Sequence, residues 1–115
     1  MEILFKNLIF PDGAISDLKV LDGKISDIGA SLQSSGDVID CTGLRVLPGL
    51  VDLHTHLREP GKESAETVLT GSRAAAAGGF TAISPMANTN PVADSAGVVE
   101  QVLRLGRAAG YCDVF

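Results

Sequence analysis

The stretch LVDLHTHLREPG, residues 50–61, reads as a strand over Leu50–Leu57 that runs into a loop. Along an extended strand, side chains alternate between the two faces. Leu50, Asp52, His54 and His56 then share one face, and Val51, Leu53, Thr55 and Leu57 share the other. The second set is mostly apolar and suits packing against helices. The first set turns polar toward the C-terminal end of the strand, the end at which barrel enzymes keep their catalytic groups. Two neutral imidazoles at i and i+2 on one rigid strand can point at a single ion, and zinc takes imidazole readily. His54 and His56 are the only two histidines in the chain, so any further ligand comes from elsewhere. An isolated HxH is weak evidence and is also met as two histidines without a ligand. Its place at a strand end, beside Arg-Glu-Pro-Gly, strengthens the metal reading.

The flanking sequence says what kind of sheet holds this strand. Residues 64–79, SAETVLTGSRAAAAGG, predict a helix. Ser64 can cap it, Glu66 suits its positive end, the alanines favour it, and Gly78-Gly79 stops it. FTAIS (80–84) predicts a second strand, and PMANTNPVAD (85–94) a loop rich in turn residues. From Ser95 a second helix carries Val98, Val99, Val102, Leu103 and Leu105 on one side, with Glu100, Gln101, Arg104 and Arg107 mostly on the other. YCDVF (111–115) begins a third strand. Alternating strands and helices imply parallel strands joined by right-handed crossovers. Such a sheet is covered on both faces or closed into a barrel. A complete (β/α)8 barrel takes roughly 250 residues. A chain of 115 residues is therefore expected to be a truncated piece, with the first strands and helices of an α/β barrel in residues 48–115.

Residues 1–47 differ in character. EILFKNLIF (2–10) is strand-like, Pro11-Asp12-Gly13 reads as a turn, and Asp22-Gly23 lies between two apolar runs as a hairpin signal. DVIDCTGLRVLPG (37–49) adds two short strand candidates around Thr42-Gly43. A small antiparallel unit is expected here.

Composition narrows the function. The chain is 45% hydrophobic and 20% charged, as soluble globular proteins are, with a formal charge of −5. It has no Lys/Arg cluster, which argues against nucleic-acid binding through phosphates. No apolar run reaches the roughly 18 residues of a membrane span, and the N-terminus does not read as a signal peptide. Cys41 and Cys112 form no CxxC and are expected as thiols in a reducing cytoplasm.

Other polar groups gather near the histidines. Arg58 can clamp a substrate carboxylate in a bidentate fork, or form a surface ion pair with Glu59 or Glu63. Asn88 lies just beyond the second strand, on the same end of the sheet, and its amide can donate to the same carboxylate; a turn-forming Asn is the alternative. Asp52 suits a supporting group or an ion-pair partner. Gly78-Gly79 follows a helix instead of leading into one, so it is a helix stop and not a phosphate cradle. There is no Walker or dinucleotide pattern, and no nucleophilic triad can be assembled.

PGLVDLHTHLREPG, ETVLTGSRAAAAGGFTAI and MANTNP together resemble dihydroorotase of the amidohydrolase superfamily, from about Val46 onward and more loosely over the earlier strands. The HxH with its Pro-Gly leader is shared across that superfamily, whereas HLREPG and NTNP are more specific. The resemblance implies a (β/α)8 barrel beside a small β-sandwich, to which residues 1–47 would contribute. It implies that His54 and His56 bind zinc, with one or two ions per complete site, and that Arg58 and Asn88 hold the substrate carboxylate. The implied reaction is the reversible cyclisation of N-carbamoyl-L-aspartate to L-dihydroorotate in de novo pyrimidine (UMP) synthesis. The expected enzyme is cytoplasmic, acts on a small molecule, and is a homo-oligomer or a member of a complex with other pyrimidine enzymes.

The same resemblance implies that the remaining metal ligands and a catalytic aspartate belong to later strands. No catalytic residue is therefore expected within these residues, and the 115-residue chain alone is expected to be inactive. Ala87 stands where many members of the family have Pro, which leaves the Asn88 amide in place. Two alternatives remain. One is a hydantoinase-like or allantoinase-like cyclic amidase, although those enzymes usually lack the Arg and Asn combination. The other is a non-catalytic homologue acting as a structural partner.

Overall fold

Strand β2 (Ile15–Leu21) turns into β3 (Lys24–Gly29) through Asp22-Gly23, whose φ angles are both positive, 49° and 78°. Positive φ at both turn residues matches the right-handed twist of paired strands, and Asp-Gly supplies it at low cost. The computed structural model describes residues 1–115, which form two compact units, Met1–Pro48 and Gly49–Phe115.

In the first unit, β1 (Glu2–Ile9) pairs antiparallel with β2, and β4 (Asp37–Asp40) pairs with the other edge of β1. The sheet order is β3-β2-β1-β4. The β1–β4 pairing is parallel, so the sheet is mixed and the wholly antiparallel expectation is corrected. Past Thr42-Gly43 there is no second strand but one parallel bridge, between Ile9 and Arg45. A parallel return needs a crossover, and residues 30–36 between β3 and β4 provide it without regular structure. Leu8, Leu18 and Cys41 form the core of this unit, with Phe5, Phe10, Val20 and Val46 against it.

The register of β1 shifts between Phe5 and Leu8, where Asn7 has φ 62°. Asp17 holds this bulge. Its carboxylate is buried and accepts the Asn7 N–H through Oδ1 and the Leu32 N–H through Oδ2, each at 3.0 Å.

The second unit contains β5 (Leu50–Thr55), α1 (Val68–Ala77), β6 (Phe80–Pro85), α2 (Ala96–Ala109) and β7 (Asp113–Val114). Its strands are all parallel, in the order β5-β6-β7. Val68 of α1, Val102 of α2, Ile83 of β6 and Val114 of β7 share one buried cluster with Leu57. Both helices therefore cover the same face. Two glycines permit the close packing: a Cβ on Gly71 would lie 2.4 Å from Leu57, and one on Gly106 would lie 2.5 Å from Val114.

Three local expectations change. Helix α1 starts later than Ser64 implies. Its N-cap is Thr67, in a reciprocal capping box with Thr70, and its first turn contains no acid. Strand β5 ends at Thr55, before His56. The apolar set expected on one face is only partly covered: Leu57 is buried, but Val51 and Leu53 are 58% and 73% exposed and lie outside the buried cluster. Gly78 does end α1, and Gly79 follows with φ 85°.

Candidate functional site

Asp52 shapes the strand end. Its Oδ1 accepts the His54 N–H at 2.9 Å, where the β5–β6 register shifts between Asp52 and Thr55. Strict alternation therefore fails over these residues, and the neighbourhood of the two histidines has a different cause from the one spacing alone offers. The rings of His54 and His56 nevertheless lie with centroids 5.2 Å apart, edge to face. Two imidazoles bound to one tetrahedral zinc through bonds of about 2.0–2.1 Å hold their ring centres roughly 5 Å apart, so this pair fits half of such a ligand set. No group of three His, Cys, Asp or Glu side chains that could hold a metal exists in the chain.

Asn88 reaches the same place from the other side. Parallel pairing of β5 with β6 brings the loop after β6 beside the loop after β5, and the Met86 N–H donates to the Thr55 carbonyl at 2.8 Å. The His56 Nδ1 and the Asn88 Oδ1 are 3.0 Å apart. A carboxamide oxygen only accepts, so a hydrogen bond between these two atoms requires the tautomer with the proton on Nδ1. Sequence reasoning places Asn88 near a carboxylate; its bond to His56 is a contact that reasoning missed.

Arg58 is half-buried in the following loop. It takes part in neither of the two ion pairs, which join Met1 to Asp22 and Arg107 to Glu100. The two acids offered as its partners are occupied otherwise. Glu59 Oε2 accepts the Val68 N–H at 2.8 Å, and Glu63 Oε1 accepts the Gly61 N–H at 2.7 Å. The Gly61 bond, followed by a bond to its own backbone, holds the Glu63 carboxyl below the usual glutamate range. Glu59 thus meets one of the unpaired N–H groups at the start of α1, where a carboxylate also suits the helix dipole, a contribution of about 0.3–1 kcal/mol. No local signal revealed it, because the carboxylate comes from outside the helix.

The loops carrying Arg58 and Asn88 interlock. The Asn90 N–H donates to the Pro60 carbonyl at 3.0 Å. A Cβ on Gly61, whose φ is 104°, would lie 2.2 Å from the Asn90 carbonyl oxygen. The Glu-Pro-Gly and Asn-Thr-Asn segments of the sequence are therefore two sides of one contact. His54, His56 and Asn88 come together; no hydrogen bond or ion pair ties Arg58 to them.

The family model described as dihydro-orotase-like matches residues 43–113. Over 104 residues the chain is 64% identical to a dihydroorotase of Leifsonia xyli subsp. xyli, covering 90% of this chain and 24% of the relative. It is 54% identical over 107 residues to a dihydroorotase of Mycobacterium tuberculosis, covering 91% and 25%. The chain thus spans about a quarter of the length of these relatives. Among solved structures, the L-hydantoinase (dihydropyrimidinase) of Arthrobacter aurescens aligns with a TM-score of 0.77 at 29% identity, over 90% of this chain and 24% of that one. An N-isopropylammelide isopropylaminohydrolase of Burkholderia multivorans aligns with a TM-score of 0.73 at 19% identity, covering 99% and 36%, a likeness of fold alone.

Proposed function

This chain belongs to the dihydro-orotase-like family, and on that premise we propose that the protein carrying it is a dihydroorotase, interconverting N-carbamoyl-L-aspartate and L-dihydroorotate in pyrimidine synthesis. The observation that carries the proposal is the meeting of His54, His56 and Asn88 at one end of a parallel sheet, within 5.2 Å for the two rings and 3.0 Å for the His56–Asn88 pair. Sequential strands with both helices on one face support a (β/α)8 barrel, and residues 1–47 belong to the accompanying β-sandwich. In this reading His54 and His56 are two of the zinc ligands. When bound, zinc polarises a carbonyl and lowers the pKa of water. Arg58 and Asn88 bind the carboxylate that the substrate carries in both its open and closed forms. A guanidinium without a partner acid is suited to that task, since binding breaks no ion pair. The reading carries a cytoplasmic location, in keeping with two free cysteines, and leaves assembly with other subunits to the whole protein.

The test is steady-state kinetics on the full-length enzyme. Arg58→Lys keeps the charge and loses the planar fork, so the KM for dihydroorotate should rise about 10–100-fold, equivalent to about 1.4–2.8 kcal/mol, with zinc content unchanged. Wild-type kinetics from the variant remove Arg58 from the substrate site. A wild-type enzyme that opens hydantoins and ignores dihydroorotate overturns the whole reading.

A further inference from the structure

We infer that Asn88 is a positioning residue for His56: its side-chain oxygen selects the imidazole tautomer that leaves Nε2 free to ligate, while its amide N–H groups stay available to an anion. The inference rests on the reading of His56 as a metal ligand, and extends it.

A neutral imidazole has one N–H and one lone pair. With the Asn88 Oδ1 at 3.0 Å from Nδ1, the proton sits on Nδ1 and the lone pair on Nε2. Turning the carboxamide over would place its NH2 group against Nδ1, force the proton onto Nε2, and remove the ligand. One amide orientation therefore favours a metal and the other opposes it. Metal-bound histidines usually donate their second N–H to a carboxylate or a carbonyl. Here a carboxamide takes that part, and the choice has a consequence. A carboxylate would fix the same tautomer but repel a substrate anion. The Asn88 Nδ2 makes no hydrogen bond within the chain, so both of its donors are free. The loop is pinned while it does this, by the Asn90–Pro60 hydrogen bond and by Gly61 seated on the Asn90 carbonyl.

Two substitutions in the full-length enzyme separate the roles. Zinc affinity is read by chelator competition, and KM is read with dihydroorotate. Asn88→Ala should lower zinc affinity about 10–100-fold, as loss of a partner behind a ligand does, and should also raise KM. Asn88→Asp should keep zinc affinity within about threefold of wild type, because it retains the acceptor, and should raise KM at least as much as Asn88→Ala. A purely structural role for the loop would not spare zinc binding in the Asp variant. Wild-type zinc affinity in Asn88→Ala, or equal loss of zinc in both variants, overturns the inference. A third measurement needs no variant: in metal-free wild type at alkaline pH, ring nitrogen shifts of His56 should show the proton on Nδ1, and a proton on Nε2 refutes it. Zinc affinity and tautomer are read without substrate, so failure of the dihydroorotase reading and failure of this inference are distinguishable.

Discussion

Asp17, in Met1–Pro48, is buried and has both carboxylate oxygens on backbone N–H groups. His54 and Arg58, in Gly49–Phe115, have side chains with no hydrogen bond or ion pair, although Arg58 is half-buried. Two other acids of the first unit are also bonded, each through one carboxylate oxygen. Asp40 accepts from Asn7 and Thr42, and Glu2 accepts from Ser34 and Ser35. A polar group that completes a fold is saturated by that fold, because a buried unpaired donor or acceptor costs about 1–3 kcal/mol. A polar group kept for a ligand is left with spare valence. Under the proposed function, the unpaired His54 and Arg58 side chains at the end of β5 are the groups kept for metal and substrate.

The largest expected effect breaks the saturated side. In the full-length protein, Asp17→Ala leaves the Asn7 and Leu32 N–H groups without their acceptor, and should lower the unfolding free energy by about 2–4 kcal/mol, measured by denaturant titration. A loss below about 0.5 kcal/mol, the size of an ordinary surface change, would show that the bulge holds itself. Gly61→Ala comes next. It strains a positive φ and pushes a methyl group into the Asn90 carbonyl, so about 1–3 kcal/mol should be lost, accompanied by a raised KM as the Arg58 and Asn88 loops separate. Lost stability with unchanged KM would confine the interlock to folding.

The smallest effect is read by pH. The Asn7 amide, then the Thr42 hydroxyl and N–H, hold the Asp40 carboxyl below its ordinary value; the Ser34 hydroxyl, then the Ser35 N–H, do the same for Glu2. A folded pKa lower than the unfolded one stabilises the fold above the ordinary carboxylate range, and the gain is lost as pH falls through the folded value. Asp40 is exposed and Glu2 only partly buried, so solvent screens the gain. Carboxyl carbon shifts followed by NMR should titrate below the usual Asp and Glu midpoints. Ordinary midpoints for both would remove these two acids from the saturated class.

Much of the local structure is legible in the sequence. Asp22-Gly23 marks its own turn because the φ it needs is a property of those residues. The β-α-β-α-β order follows from periodicity and glycine stops. Ser64 and Thr67 are both acceptable caps for α1, and the Thr67–Thr70 box and the Glu59 carboxylate favour the later one. The direction of β4 is not written in its four residues, DVID, which suit parallel and antiparallel pairing alike.

By itself the sequence determined the two unlike halves and the alternating strand and helix order of the second, since both follow from backbone preference and apolar periodicity along the chain. Only the tertiary structure decided that Asp52 bends the strand end, that Glu59 serves a helix and not Arg58, and that Asn88 rests on a ring 32 residues earlier. Those contacts exist because β6 pairs beside β5 in one register and the following loops lock at Gly61 and Asn90. Such pairing is set by the summed burial of the Leu57, Val68, Ile83, Val102 and Val114 cluster, a quantity spread over the whole unit and written in no single motif.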